Sequence, residues 1–306
     1  MSLARVGAQI LRPLDSWRRA ESRAAGDLRL ADWRRVVPFV ALHAACLLVF
    51  AVGWSPVAVV FAVAFYSLRM FAITAFYHRY FSHRSFRTSR VMQFLFALLG
   101  ATAVQRGPLW WAAHHRHHHR HSDTERDVHS PAREGFWWSH VGWILSREHL
   151  RTRVELVKDL ARFPELRFLD RYDMLVPLLM IPALYGLGAA IAHVWPDSGT
   201  SGAQLLVWGF AVSTVALYHC TFAINSLAHR FGKRRYETQD DSRNNLWLSL
   251  VTFGEGWHNN HHRYPGAARM GFRWWEVDLS YYLLRVLAGL GLVWDLRPVP
   301  EGAQRS

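Results

Sequence analysis

The chain has 306 residues, of which 51% are hydrophobic and 14% aromatic, and its formal net charge is +13. Only 19% of the residues are charged, against about a quarter in soluble domains, so the composition excludes disorder and favours a membrane protein. Cys46 and Cys220 both lie in apolar runs, which excludes a disulfide scaffold and a cysteine-rich metal site. Lysine occurs only at Lys158 and Lys233, so arginine carries the charge, and we expect anionic lipid rather than nucleic acid as its partner.

The first 35 residues form a basic arm ahead of the first apolar run. The arm also contains acidic residues, among them Asp15, Glu21 and Asp27, and it has no apolar segment followed by a cleavage site. We therefore predict no signal peptide. The whole chain is expected to form a single domain, with its core at residues 36–295 and residues 1–35 as the N-terminal arm.

Four apolar runs follow, at about residues 36–54, 57–77, 174–195 and 205–224. Each has roughly the 20 residues that a helix needs to cross the hydrocarbon core. The loop at 196–203 has no lysine or arginine, whereas the opposite flanks are rich in arginine. The positive-inside rule then places both termini and both large polar regions in the cytoplasm. We predict an all-α protein of the cytoplasmic (inner) membrane with four transmembrane helices; four buried helices of a soluble protein would not explain the charge asymmetry.

Two shorter apolar stretches, 91–104 and 281–294, are too short to span and are predicted to be helices at the membrane surface. Arg69 interrupts the second apolar run, where a charge at mid-bilayer is costly. If Arg69 lies near the cytoplasmic surface, the residues up to His78 form a helix that projects out of the membrane. A locally paired Arg69 is the alternative.

Histidines cluster in the two polar regions. Along the chain these are His78 and His83, the run from His114 to His121, His229, and the set His258, His261 and His262. Residues three and four apart share one face of a helix, so His115, His118 and His119 point one way, as do the three of the last set. The five-residue spacing of His78 and His83 predicts a helix end or local unwinding between them. Nine candidates are too many for one tetrahedral zinc but suit two metals of higher coordination.

Three segments carry a family resemblance: His78-Arg-Tyr-Phe-Ser-His83, Gly135-Phe-Trp-Trp-Ser-His140-Val-Gly-Trp143 and Gly254-Glu-Gly-Trp-His-Asn-Asn-His-His262. Together with His115-Arg-His-His-His119 and Asn225-Ser-Leu-Ala-His229, they resemble the integral-membrane fatty acyl desaturases of the Δ9, stearoyl-CoA type. The motifs of bacterial and cyanobacterial members resemble those of this chain most. The resemblance covers about residues 72–278.

The resemblance implies a cytosolic helical cap on the four transmembrane helices, holding two iron ions (Fe2+/Fe3+). It implies histidine ligands at nine positions and Asn225 as a residue that approaches one iron through water. The implied ligands are His78, His83, His115, His118, His119, His229, His258, His261 and His262. His114, His117 and His121 match no ligand position.

The implied reaction removes two hydrogens from an unactivated methylene pair of a saturated fatty acyl chain and leaves a cis double bond, expected at Δ9. Iron activates O2 for this step, two electrons come from outside, and both oxygen atoms leave as water.

Carboxylates usually orient metal-binding histidines, and the candidates by proximity are Asp127, Asp241 and Glu255. An apolar tunnel must hold the chain. The tryptophans near the histidine clusters either line it or anchor the protein at the interface: Trp110, Trp111, Trp137, Trp138 and Trp257.

The chain has no haem motif, no GxGxxG and no cysteine cluster, so the electrons are expected from a separate protein such as a ferredoxin or a flavoprotein-linked carrier. Such carriers are often acidic, and an arginine-rich face steers them by charge. Lipid binding is the alternative use of these arginines; we expect it for the N-terminal arm and leave the choice open at 230–235.

Animal acyl-CoA desaturases have an Arg-Asp pair where this chain has Ala113 and His114, so CoA-, lipid- and carrier-protein-linked substrates all stay open.

Two other functions would use parts of the same pattern. A membrane di-iron hydroxylase or alkane monooxygenase returns oxygen to the carbon, but its histidine clusters have other spacings. A non-catalytic membrane metal or haem binder usually places paired histidines inside the spans, whereas here they lie outside. We therefore expect an oxidoreductase, a Δ9 desaturase of acyl-CoA or acyl-lipid.

Overall fold

The computed structural model describes residues 11–21 and 29–303. Four of its helices are long and apolar enough to cross a membrane, as the sequence predicted. They are Trp33–Val52, Pro56–Ser82, Leu175–Val194 and Gly202–Ser226, called here the first, second, third and fourth spans. The second span runs past its predicted end at residue 77, so it carries the first histidine cluster.

Local sequence explains where two of the spans begin. Gly53 adopts φ +68°, a left-handed conformation that glycine tolerates, in the turn between the first two spans. Ser55 then caps the second span by accepting a hydrogen bond from the Ala58 N–H at 3.1 Å, and Pro56 occupies the first helical position. The fourth span starts with a reciprocal capping box between Ser201 and Gln204.

Arg69 in the second span is fully buried and locally paired. Its guanidinium donates to the Thr214 hydroxyl at 2.7 Å and to the Ser213 hydroxyl, both on the fourth span, and to the Thr102 carbonyl at 3.3 Å. Protein groups therefore solvate the charge, which is the alternative that the sequence left open, and the arginine joins two spans.

Shorter helices connect the spans and form the cap. Their bounds are Ser16–Glu21, Arg90–Ala101, Pro108–His121, Pro131–Glu134, Trp138–Gly142, Trp143–Leu145, Lys158–Ala161, Pro164–Arg171, Leu246–Val251, His258–Arg263 and Leu279–Gly289, with 3-10 turns at Arg12–Leu14, Val154–Leu156 and Pro196–Ser198. The two stretches predicted to lie at the membrane surface are mainly helical, and each exposes large apolar side chains, among them Val91 and Val286.

A short β-ribbon adds to the predicted helices. Arg87–Thr88 pairs antiparallel with Val293–Trp294, so the second apolar stretch ends as a strand rather than as a helix. The Arg297 N–H also donates to the Ser85 carbonyl at 2.8 Å. The ribbon ties the C-terminal segment to the chain that follows the first histidine cluster.

The described part of the N-terminal arm packs on the cap. The Ser16 hydroxyl donates to the Arg171 carbonyl at 2.9 Å, and the Trp17 indole donates to the Asp170 carboxylate at 2.8 Å. Asp15 forms an ion pair with the Arg171 side chain. Residues 1–10 and 22–28 of the predicted arm lie outside the described residues.

The second span packs tightly against the Arg90–Ala101 helix. The Tyr77 hydroxyl donates to the Ala97 carbonyl at 3.2 Å, and its ring lies over Gly100. A Cβ at Gly100 would lie 2.0 Å from Tyr77 Cε1. This contact fixes the part of the second span that leads into His78.

Candidate metal centre

The first histidine pair is aligned by a wide helix. Over Ala72–Ser82 the second span winds as a π-helix, in which each N–H bonds to the carbonyl five residues earlier. The His83 N–H donates to the His78 carbonyl at 3.2 Å in this pattern. Residues five apart therefore lie above one another. The prediction of a helix end or local unwinding at Tyr80–Ser82 agrees with this structure, because the helix ends at Ser82 and its π-helical turns are wound less tightly than an α-helix.

The second cluster lies on the Pro108–His121 helix, which Pro108 starts at its first position. His115 and His119 are four residues apart and have ring centroids 4.6 Å apart. His118 lies beside them but turns towards His229 and His262. The three histidines share a face as predicted, yet they divide between two groups.

The third cluster is carried by the short His258–Arg263 helix, which follows a tight loop. A Cβ at Gly254, where φ is +116°, would lie 2.4 Å from Asp278 Oδ1, and one at Gly256 would lie 2.1 Å from the Ser249 nitrogen. Glycine at both positions lets the loop backbone approach its neighbours closely. The loop thereby brings the last three histidines into the site.

Two groups of ring nitrogens result, and within each group the nitrogens lie within 4.8 Å of one another. The five-histidine group consists of His78, His83, His115, His119 and His261. The four-histidine group consists of His118, His229, His258 and His262. The structure thus brings together all nine histidines that the resemblance implied as ligands.

The nitrogen spacing in the five-histidine group fits a metal ion. His261 Nε2 lies 2.9 Å from Nε2 of both His78 and His119, and His83 Nε2 lies 2.8 Å from His115 Nε2. Ligands at right angles around a metal, at metal–nitrogen distances of about 2.0–2.1 Å, are themselves about 2.9 Å apart. The rings are therefore spaced as adjacent ligands of one ion.

Hydrogen bonds among these rings do not account for the contacts. His78 Nδ1 forms an ion-pair contact with Glu255, and each imidazole nitrogen carries either one proton or one lone pair. His261 Nε2 holds one proton at most and faces both His78 and His119. In either tautomer one of its two contacts has no hydrogen bond, whereas a cation would satisfy both.

Carboxylates orient most of the four-histidine group. His118 Nδ1 donates to Asp127 Oδ1 at 3.0 Å, and His262 Nδ1 donates to Asp240 Oδ2 at 2.6 Å. His229 Nδ1 donates to Asp123 Oδ2 at 2.8 Å. Each bond fixes the tautomer and turns the Nε2 lone pair towards the site.

Of the three carboxylates expected to support the ligands, Asp127 and Glu255 contact histidines of the two groups, but Asp241 does not. The Asp241 side chain is half exposed and lies 3.5 Å from Arg234. The supporting residues that the sequence analysis missed are Asp123 and Asp240. Asp123 follows the second histidine cluster closely in the sequence, and Asp240 directly precedes Asp241, which was predicted instead. Nothing in the sequence shows which of two adjacent aspartates turns inward.

Burial sets the protonation of the site. Burial, reinforced by neighbouring histidines, holds the pKa of His83 and of His261 well below the usual value, so both rings are neutral at neutral pH. Burial alone would raise the pKa of Asp123, but the hydrogen bond from His229 lowers it below its usual range. Burial alone would lower the pKa of His118, but the negative charge and hydrogen bond of Asp127 raise it, so the two groups differ in how readily their rings take up a proton.

A cavity of about 610 Å³ opens beside the five-histidine group, a size typical of ligand sites. His115 and Asn225 line it near the histidines, and Phe39 and Ile181 line it between the spans. The lining is mainly apolar and also includes Arg19, Arg34, Arg35 and Arg106. An acyl chain is the kind of ligand that such a cavity fits.

The five tryptophans proposed for the tunnel have different positions. Trp110 and Trp111 line the cavity. Trp137 is 76% exposed, Trp138 donates to the Val128 carbonyl, and Trp257 donates to the Val277 carbonyl. The last three do not line the described cavity, so for them anchoring at the membrane interface, the other use that the sequence left open, stays the prediction.

Comparison with known proteins gives consistent matches over most of the chain. The family model for fatty acid desaturase matches residues 53–294. The sn-1 stearoyl-lipid 9-desaturase of Anabaena variabilis is 36% identical over 87% of this chain and 94% of its own length. The Delta-9 acyl-lipid desaturase 1 of Arabidopsis thaliana is 38% identical over 94% of this chain and 92% of its own. The Icosanoyl-CoA 5-desaturase of Limnanthes douglasii is 37% identical over 90% of this chain and 74% of its own.

Proposed function

Because the chain belongs to the fatty acid desaturase family, an integral-membrane di-iron fold, we propose that it introduces a cis double bond at Δ9 of a saturated fatty acyl chain. The reaction consumes O2 and two electrons from a separate protein. One observation carries the proposal: the five-histidine group adjoins the apolar cavity, and His115 belongs to both. A chain in that cavity lies next to the histidines.

The nine histidines would hold two iron ions, five residues on one and four on the other, and Asn225 would reach one iron through water. When bound, the irons supply the activation of O2 that breaks unactivated C–H bonds. The chain itself supplies neutral ligands, the carboxylates that orient them, and an enclosed cavity that keeps one methylene pair in place.

The position of the bond and the acyl carrier are proposed from the relatives. Their names include 9-desaturases of lipids and 5-desaturases of CoA esters. We propose Δ9 because both the Anabaena and the Arabidopsis relatives named above act at that position. The site is proposed to lie on the cytoplasmic side of the inner membrane, together with both termini.

The test is the fatty acid profile of a host that lacks its own Δ9 desaturase, expressing the chain with a ferredoxin and its reductase. Mass spectrometry locates any new double bond in CoA-, lipid- and carrier-protein-linked pools. We expect a cis Δ9 bond in the wild type, its loss in His261→Ala, and its retention in His117→Ala. His117 is the matched control because it lies in the same cluster but belongs to neither histidine group, and its Nε2 contacts the Arg126 carbonyl.

A hydroxylated chain would replace the proposal with a monooxygenase. A double bond at another position would correct Δ9 and leave the desaturase assignment in place. Full activity of His261→Ala, or protein without iron, would remove the histidine groups from the reaction.

A further inference from the structure

The cavity beside the five-histidine group has charged residues in its lining as well as apolar ones. Four arginines line it, against two aspartates, Asp32 and Asp173. Asp173 forms an ion pair with Arg106 at 3.1 Å. The other three arginines are Arg19, Arg34 and Arg35. Positive charge therefore exceeds negative charge around this cavity.

Arg35 has hydrogen-bond donors that no described residue accepts. Its Nη1 donates to the Ile144 carbonyl at 2.6 Å, which holds the guanidinium in place. Its Nε and Nη2 are buried and have no hydrogen-bond partner among the residues that the structure describes. These two nitrogens form an edge of the guanidinium that binds a phosphate or a carboxylate through two parallel hydrogen bonds. Because buried donors without a partner are costly, this edge indicates an anionic ligand.

Further positive charge lies close to Arg35. The guanidinium carbons of Arg35 and Arg106 lie 5.8 and 5.3 Å from the centre of the Trp110 ring, so both arginines pack on one indole. Burial lowers the pKa of Arg19, the charges of Arg106 and Arg34 lower it further, and the aspartate paired with Arg106 offsets only part of this effect. An anion bound among these arginines would reduce their mutual repulsion.

The position of Arg35 in the first span favours the phosphate of a membrane lipid. Arg35 is the third residue of that span, so it lies near the membrane–water interface, where lipid phosphates also lie. Phe39, four residues and about 6 Å further along the helix axis, lines the same cavity. In a glycerophospholipid only the glycerol backbone separates the phosphate from the acyl esters, whereas in CoA the whole pantetheine arm separates the phosphates from the thioester. The short step from charged to apolar lining therefore fits a phospholipid better than CoA.

We propose that Arg35 and the three arginines beside it bind the phosphate of a glycerophospholipid whose acyl chain occupies the adjoining cavity. This inference rests on the proposed function and narrows its choice of acyl carrier to a phosphate-bearing membrane lipid. Arg35 then selects the substrate, because its free edge binds an anionic phosphodiester and gains nothing from a neutral glycolipid with the same acyl chains.

Equilibrium binding of three acyl donors tests the proposal. The iron-loaded protein in a nonionic detergent, kept without a reductant, is titrated separately with distearoyl phosphatidylglycerol, distearoyl monogalactosyldiacylglycerol and stearoyl-CoA. Arg35→Gln should weaken phosphatidylglycerol binding about tenfold or more, and binding of the other two donors should stay near that of the wild type. Arg35→Lys should restore only part of the affinity, because an ammonium group does not form the two parallel hydrogen bonds.

Two further variants complete the comparison. Arg162→Gln removes an exposed arginine that does not line the cavity, and it should bind all three donors like the wild type. Arg34→Gln changes an exposed side chain that does line the cavity, so it should fold normally and weaken phosphatidylglycerol binding selectively. This second variant keeps the test decisive if Arg35→Gln does not fold.

The outcomes separate this proposal from the proposed function. Unchanged phosphatidylglycerol binding by folded Arg35→Gln, or by Arg34→Gln if the first variant does not fold, would overturn the anion site. An equal loss for the galactolipid would show that Arg35 only supports the fold, and an equal or larger loss for stearoyl-CoA would overturn the choice of phospholipid. If the wild type with a reductant formed no product from any of the three donors, the desaturase function would fail, whatever the binding results show.

Discussion

Two adjacent aspartates, Asp240 and Asp241, have opposite environments. Asp240 is buried, accepts the Nδ1 proton of His262, and is held in turn by the Ser242 N–H at 3.0 Å. Asp241 lies near the surface beside Arg234. The orientation of the His262 ring therefore depends on Asp240, and the neighbouring Asp241 provides a control.

Asp240→Asn should lower metal affinity by about 10–100-fold, because the amide neither carries the negative charge nor accepts the proton in the same way. Asp241→Asn should keep wild-type affinity. The measurement is iron retained per chain after dialysis against graded chelator concentrations. Equal retention in the two variants would show that Asp240 does not support a ligand.

The clustering of histidines was predictable in part from the sequence, because four-residue spacing, as between His115 and His119, places rings on one face of a helix whatever the surroundings. The assignment of nine histidines as ligands was implied by the family resemblance and stays a prediction. The supporting carboxylates were less predictable. The conformation of an irregular loop decides whether Asp240 or Asp241 turns inward, and no periodicity constrains such a loop. Asp123 was missed for the same reason, since it also lies beyond the end of a helix.

At the scale of elements, the second span combines two helix types. Its α-helical part crosses the apolar region, and its π-helical part, Ala72–Ser82, aligns the first histidine pair. The apolar run predicted the first part from length alone. The second part depends on tertiary packing, and only the five-residue spacing of His78 and His83 hinted at it.

Gly100→Ala should destabilise this element by about 1–3 kcal/mol, because the new methyl group would overlap the buried Tyr77 ring. Gly289→Ala is the control, since a Cβ there meets nothing within 4 Å, and it should be neutral or slightly stabilising. Thermal melting of the purified proteins in the same detergent compares them. If both melted like the wild type, the contact between Gly100 and Tyr77 would not constrain the second span.

For the whole molecule, the four spans together set where the cap lies. An even number of crossings would place both termini on one side, and the arginine distribution predicts that this side is the cytoplasm. The spans were predictable because membrane thickness fixes their length. The cavity lining was not, because which tryptophan lines it depends on how the cap helices pack, as the outward position of Trp137 shows.

The orientation predicts the behaviour of reporter fusions. Green fluorescent protein fused after residue 306 should fluoresce, and alkaline phosphatase fused there should be inactive, because the C-terminus is expected in the cytoplasm. Phosphatase inserted after Ser198, in the loop between the third and fourth spans, should be active. The reverse pattern would place the histidine groups on the outer side of the membrane.

The assembly of the five-histidine group from distant segments constrains how the protein is made. His78 and His261 touch although 183 positions separate them in the chain. At about 5–20 residues per second, the ribosome needs roughly ten to forty seconds to deliver the second after the first. The four-histidine group is likewise incomplete until His258 and His262 have been synthesised. We therefore expect both histidine groups to be complete only after nearly all of the polypeptide has been synthesised, and a nascent chain stalled before residue 258 would lack part of each group.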